Sequence, residues 1–303
     1  MRTKTFAKIT TLFVLALFAS IVMVTCALKP EATVVVLTFA SMVAVAQVKP
    51  VAKYASGTIY SAALADHSTR AAVGTLAVAI GGVIDYIELQ CFSTLATTVR
   101  SGGLFELEND SIDWKPFEVY SQEQVLLGTG GSVTKPMRLY VKKPLPSGST
   151  ITGYFTANNA ATSLVTITIH WKLGGSISKQ TYMKTMRGTA AVGTLNTWRT
   201  EGTIDVPAMK GGNAVLCLAQ GYGAIETIVT EGGMVRLTNG SADWVPTVFC
   251  TGGITGLTTI CGESHPHGYI MDHPLPSKST VTIEFAPSDN QSQTLSVTLI
   301  WEG

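Results

Sequence analysis

Charge is scarce in this sequence. Asp, Glu, Lys and Arg make up 14% of its 303 residues, the net charge is +1, and neither sign forms a long block. Binding to DNA or RNA needs a basic face that neutralises phosphates, so nucleic acid is not an expected partner. The signatures of catalysis are missing too. No Gly-x-Ser-x-Gly turn presents a strained nucleophile, and no Gly-rich phosphate loop is followed by Lys-Ser or Lys-Thr. The five histidines fall at unrelated places, which leaves no repeated base to activate a nucleophile. Neither an enzyme nor a cofactor is expected. Long helical periods are also rare, while 29 glycines accompany abundant Thr and Val. That composition points to an all-β chain with many turns.

Apolar length is concentrated at the N-terminus. After Arg2, Lys4 and Lys8, residues 9–28 carry no charge, and a second uncharged run covers residues 32–48. Two readings stay open. In the first, residues 1–46 are a signal peptide, because Ala44-Val-Ala46 has the small-x-small form of a cleavage site and Met23 offers a shorter start. In the second, the runs are retained and the first is long enough to span a bilayer as a helix, which would make membrane a partner.

The rest of the chain is one unit written twice. Ala71-Ala-Val-Gly-Thr-Leu76 returns as Ala190-Ala-Val-Gly-Thr-Leu195. The stretch from Gly102 to Pro116, containing Asn109-Asp-Ser111 and Asp113-Trp114, returns from Gly232 to Pro246 with Asn239-Gly-Ser241 and Asp243-Trp244. Pro144-Leu-Pro-Ser returns as Pro274-Leu-Pro-Ser, and the strand ending at Trp171 returns as the one ending at Trp301. The offset is 119 residues at the first match and 130 at the others, so about eleven extra residues are expected between Leu195 and Gly232. The expected organisation is an N-terminal segment over 1–46, an arm or linker over 47–68, one sandwich over 69–171, a linker over 172–189 and a second sandwich over 190–303.

Within each unit, short strands alternate with turns. The closing strand is the clearest. Val165, Ile167, Ile169 and Trp171 fall on one face while Thr166, Thr168 and His170 fall on the other, and Leu295, Val297, Leu299 and Trp301 repeat the pattern. That period of two places one face on a core.

Four groups of residues carry possible chemistry. Cys250 and Cys261 flank a Gly-rich loop and could close a disulfide; the alternative is two independent thiols. Cys261, Glu263, His265, His267 and His273 fall close together and contain metal-ligand types. Prolines among them and the lack of a counterpart in the first copy favour a plain loop, so no metal is expected. Asn109, Asn239 and Asn290 fit the N-glycosylation pattern, two of them within turns of the repeat. Asp113-Trp114 and Asp243-Trp244 could stack on sugar, but a Trp at the same place in both copies more simply packs over one end of each sandwich, as Trp171 and Trp301 close their last strands.

The end of each copy, a strand, Pro-Leu-Pro-Ser-x-Ser-Thr, a strand, a polar turn and a last alternating strand, resembles the end of a jelly-roll domain. Two in tandem are similar to the double jelly-roll major capsid proteins of viruses with internal membranes. Secreted jelly-roll subunits of microbial surface filaments share the architecture. The resemblance implies a non-enzymatic subunit whose partners are copies of itself. The N-terminus directs the primary expectation to a secreted or cell-surface filament, tube or layer. The alternative is a capsid subunit located in the virion. A carbohydrate-binding or adhesive module is the third reading, and it requires exposed indoles at Trp114 and Trp244.

Overall fold

A computed structural model describes residues 54–64, 69–93, 100–124, 136–157, 163–190, 196–223, 232–244, 247–251, 256–257, 260–261, 266–288 and 293–303. The N-terminal readings over residues 1–46 lie outside these. No helix among the described residues is long and apolar enough to cross a membrane.

The first copy is built from β1 (Tyr54–Leu64), β2 (Ala71–Ala77), β3 (Gly82–Ser93), β4 (Arg100–Asn109), β5 (Glu118–Gln124), β6 (Met137–Tyr140), β7 (Pro144–Leu145), β8 (Thr150–Ala157) and β9 (Ser163–Leu173). One sheet has the order β1-β9-β3-β6, with β7 also on β3, and the other has β2-β8-β4-β5. The second copy contains β10 (Thr181–Ala190), β11 (Arg199–Asp205), β12 (Gly212–Gly223), β13 (Gly233–Thr238), β14 (Thr247–Cys250), β17 (His267–Leu275), β18 (Thr280–Pro287) and β19 (Gln293–Glu302), plus a hairpin of β15 (Gly256–Leu257) and β16 (Ile260–Cys261). Its sheets run β10-β19-β12-β17 and β11-β18-β13-β14.

In both copies the first strand lies beside the last and the second beside the last but one. All the strand pairs within these four sheets are antiparallel. That nesting of two Greek keys over two facing sheets is the jelly roll, so the chain is a tandem double jelly roll. The inward residues of β9 and β19 are buried as their alternation requires, with Val165, Ile167, Ile169, Leu295, Val297 and Trp301 at 0% exposure.

Two expectations are corrected. Residues 54–64 were assigned to an arm and 181–189 to a linker, yet these segments are β1 and β10, paired along their length with β9 and β19. The β1 period is hidden because its inward side is small. Ala55, Gly57 and Ile59 face in, and a Cβ at Gly57 would lie 2.4 Å from the Leu76 side chain, so close packing against β2 excludes the larger residues that advertise a strand.

The second correction concerns the literal repeat at Ala71 and Ala190. Ala71 opens β2, whereas Ala190 ends β10. Register identifies the true partners: Ala71 pairs Phe155 as Arg199 pairs Phe285, with a bulge just before Gly74 and just before Gly202. Gly74 and Gly202 therefore hold the same place, and no eleven-residue insertion separates the copies.

Candidate assembly surfaces

The repeated tryptophans anchor each copy by the same bonds. Trp114 Nε1 donates to the Pro144 carbonyl at 3.1 Å and Trp244 Nε1 to that of Pro274 at 2.7 Å. Trp171 Nε1 donates to Ile80 O and Trp301 Nε1 to Lys210 O. Trp114 is 1% exposed and Trp244 is 8%. The exposed indoles that a sugar-stacking platform needs are absent at these two positions, because both rings fill the end of a core.

The sequons are turn chemistry where they can be seen. Asn109 Oδ1 accepts from the Ser111 and Ile112 amides while its Nδ2 donates to Ser149 Oγ at 3.0 Å. Asn239 accepts from Ser241 N, donates to Ser279 Oγ at 3.0 Å and is 2% exposed. The nitrogen that a glycan would occupy is engaged in both copies. Asn290 lies outside the described residues.

Of the residues with metal-ligand types, the described His267 and His273 are held apart. His267 begins β17 on the exposed side, while His273 Nε2 meets Thr247 Oγ1 at 2.9 Å and packs on Trp244. No group of three His, Cys, Asp or Glu among the described residues could hold a metal. Glu263, His265 and the Cys261 side chain lie outside them, and Cys250 is an exposed free thiol. The turn 108–115 lines an open concavity of about 370 Å³. Its carboxylates are spoken for: Glu108 by Arg70 and Lys115, Asp113 by Lys210, and Asp110 by the Thr150 amide and the Ser111 hydroxyl.

The most developed surface is the junction between the two jelly rolls. The β5 edge of the first copy lies on the outer face of β10-β19-β12-β17. Phe117 forms a parallel bridge with Met183. The Met183 amide donates to Pro116 O at 3.2 Å and the Thr181 amide to Lys142 O at 2.9 Å, while the Lys142 amide donates to Thr181 Oγ1 at 2.9 Å. Thr185 Oγ1 donates to Glu118 O and meets Thr298 Oγ1 at 2.7 Å, and that hydroxyl accepts from Tyr120 N at 3.4 Å. Met183, Leu218 and Ile300 of the second copy join the core cluster of the first.

Charge rims this junction. Lys142 Nζ pairs Glu302 Oε1 at 2.7 Å. Lys210 Nζ reaches both Asp113 and the Lys115 carbonyl. Lys143 is fully buried, donates to the Trp114 carbonyl at 2.9 Å and lies 4.0 Å from the Tyr182 ring centroid. Burial, with Lys210 nearby, drives its ammonium down to about 7. Burial also raises the Glu118 carboxyl.

The same two surfaces exist a second time with no intrachain partner among the described residues. On the outer face of β1-β9-β3-β6, Tyr54, Tyr60 and Tyr140 are exposed. Tyr86 stacks on His170 at 4.2 Å, and Arg138 pairs with Glu88 at 2.6 Å, which lowers the Glu88 carboxyl. Thr58 Oγ1 meets Thr168 Oγ1 at 3.1 Å, which repeats the Thr185–Thr298 pair. The counterpart of the β5 edge is β14, where Val248 is 47% exposed and Cys250 stands open. The duplication could have suggested this from sequence, but only with β1 and β10 recognised as strands.

No protein-family model matches the chain, and no curated protein matches it in sequence. Several solved structures are similar in fold. The STIV MCP is 12% identical, with 82% of this chain and 96% of that one covered at a TM-score of 0.44. The major capsid protein P2 from Bacteriophage PM2 is 9% identical, covering 82% and 98% at 0.37. The PBCV-1 virus capsid, as a quasi-atomic model, is 7% identical, covering 84% and 94% at 0.39.

Proposed function

We propose that this chain is a non-enzymatic structural subunit that assembles with copies of itself into a shell, as a double jelly-roll capsid protein located in the virion. The observation that carries the reading is the junction. One jelly-roll edge is seated on one sheet face within the chain, while a second edge and a second face of the same kind are left uncovered by the described residues. A surface that binds its own complement on another copy is a heterologous contact, and such contacts close into rings or run on as filaments according to the rotation between successive units. A closed ring is the building block of a shell. The surface filament is the other outcome of the same contact.

Sedimentation of the purified protein followed by electron microscopy tests the proposal. Closed oligomers of few chains, and shells made from them, are expected. Open fibres would favour the filament, and a chain that stays monomeric at every concentration would overturn self-assembly altogether.

A further inference from the structure

One rim pair of the junction, Lys142–Glu302, has charged counterparts at the open surfaces, and their signs are exchanged. Lys142, on the edge of the first copy, pairs with Glu302 on the face of the second. The residue that holds the place of Lys142 in the second copy is Asp272. Put by position, Lys142 and Asp272 each stand two residues before the first proline of that motif, at Pro144 and Pro274. The residue that holds the place of Glu302 in the first copy is Lys172, since each directly follows the closing Trp301 or Trp171. The register agrees: Lys172 pairs Tyr54 across the sheet as Glu302 pairs Thr181.

We infer that the open β14 edge of one chain docks on the outer β1-β9 face of a second copy, with Asp272 of the first opposite Lys172 of the second. Lys142–Glu302 inside the chain and Asp272–Lys172 between chains then form a two-letter code. The first edge on another chain's first face would set Lys142 against Lys172. The second edge on another chain's second face would set Asp272 against Glu302. Both wrong pairings bring like charges together, and both right ones bring opposites, which is how interfaces reject alternatives as well as favour partners.

The backbone devices of the junction are ready at the open site as well. The Thr58–Thr168 hydroxyls lie where Thr185 and Thr298 take up Glu118 O and Tyr120 N, and Val248 and Cys250 hold the places of Glu118 and Tyr120. In the single chain, Lys172 Nζ rests on Asp85 at 2.8 Å and Asp272 accepts from Asn213 at 2.6 Å. Both are exposed and can exchange these partners on docking.

This inference rests on the self-assembly proposal, and charge reversal separates the two. Lys172→Glu and Asp272→Lys are each made alone and then together, and the association constant is read by sedimentation at low ionic strength. Each single reversal should weaken association on the order of tenfold, and the double reversal should restore it to within about threefold. If a reversed chain does not fold, Lys172→Met and Asp272→Asn read the same pair with a smaller loss. Association that ignores the single reversals, or that the double reversal fails to restore, overturns the pairing and leaves self-assembly standing. A wild-type chain that never associates overturns both.

Discussion

The outer face of β10-β19-β12-β17 and the outer face of β1-β9-β3-β6 occupy the same place in the same fold, yet they are finished differently. Across the second copy one row reads Met183, Ile300, Leu216, Ile270, and the matching row of the first reads Ser56, His170, Tyr86, Tyr140. Met183 is 0% exposed and Ile300 4%, covered by the β5 edge. In consequence β19 is buried on both faces from Leu295 to Trp301, while the outward residues of β9 are only half-buried. At the covered end of the apolar row, Met183 and Ile300 belong to the closed contact, where each methylene removed from water contributes about 0.8 kcal/mol that separation would forfeit, whereas Ile270 at the other end is 84% exposed. The polar and aromatic row, with Tyr, Arg and His, has the composition of surfaces that must stay soluble before they meet a partner. On the proposed assembly, one fold carries an intrachain and an intermolecular version of one contact.

The largest expected effect separates these two rows. Met183→Asp places an unpaired charge in the closed junction and should cost the chain about 3–5 kcal/mol. Ser56→Asp, at the matching position, should change the stability of the single chain by about 0.5 kcal/mol or less. Urea unfolding of the monomeric chain reads both, and equal losses would break the comparison.

The next effect is set by pH at Lys143. Its folded value, about 7, lies below the ordinary lysine range, so the unfolded chain holds that proton more tightly than the folded one. The burial penalty is therefore complete below pH 7 and is relieved as pH rises toward the ordinary lysine value. Stability should climb by about 3 kcal/mol between pH 7 and pH 10 from this group. In Lys143→Met that climb should vanish, as unfolding midpoints at the two pH values will report. The matching position of the open junction is His273, so the two contacts also differ in the base they place at the rim.

A smaller difference sits in the shared turn. Gly148 and Lys278 hold the same position with φ of 79° and 63°, a left-handed conformation that costs a residue with a side chain roughly 1–2 kcal/mol. Lys278→Gly should raise stability by up to about 1 kcal/mol, and Gly148→Lys should lower it by a similar amount, measured by thermal unfolding.

Much of the fold is legible in the sequence because core alternation is local. The closing strands and the tryptophan turns can be read from spacing alone, and Trp114, Trp244, Trp171 and Trp301 sit where that spacing places them. What is hidden depends on partners far along the chain. The inward side of β1 is small because Leu76 fills the space above Gly57, so its period is faint. The identical strings at Ala71 and Ala190 mislead because identity of sequence is not identity of register; one opens a second strand and the other ends a first. The assembly surfaces escape for the same reason, since Lys142 and Glu302, or Tyr120 and Thr298, meet only after both copies have folded.

The central claim is that the contact inside the chain is repeated between chains. Electron cryo-microscopy of the assembled protein tests it most directly. The account predicts β14 of one chain lying across Thr58 and Thr168 of the next, with Asp272 beside Lys172. An assembly in which the outer β1-β9-β3-β6 face remains open to solvent would contradict it.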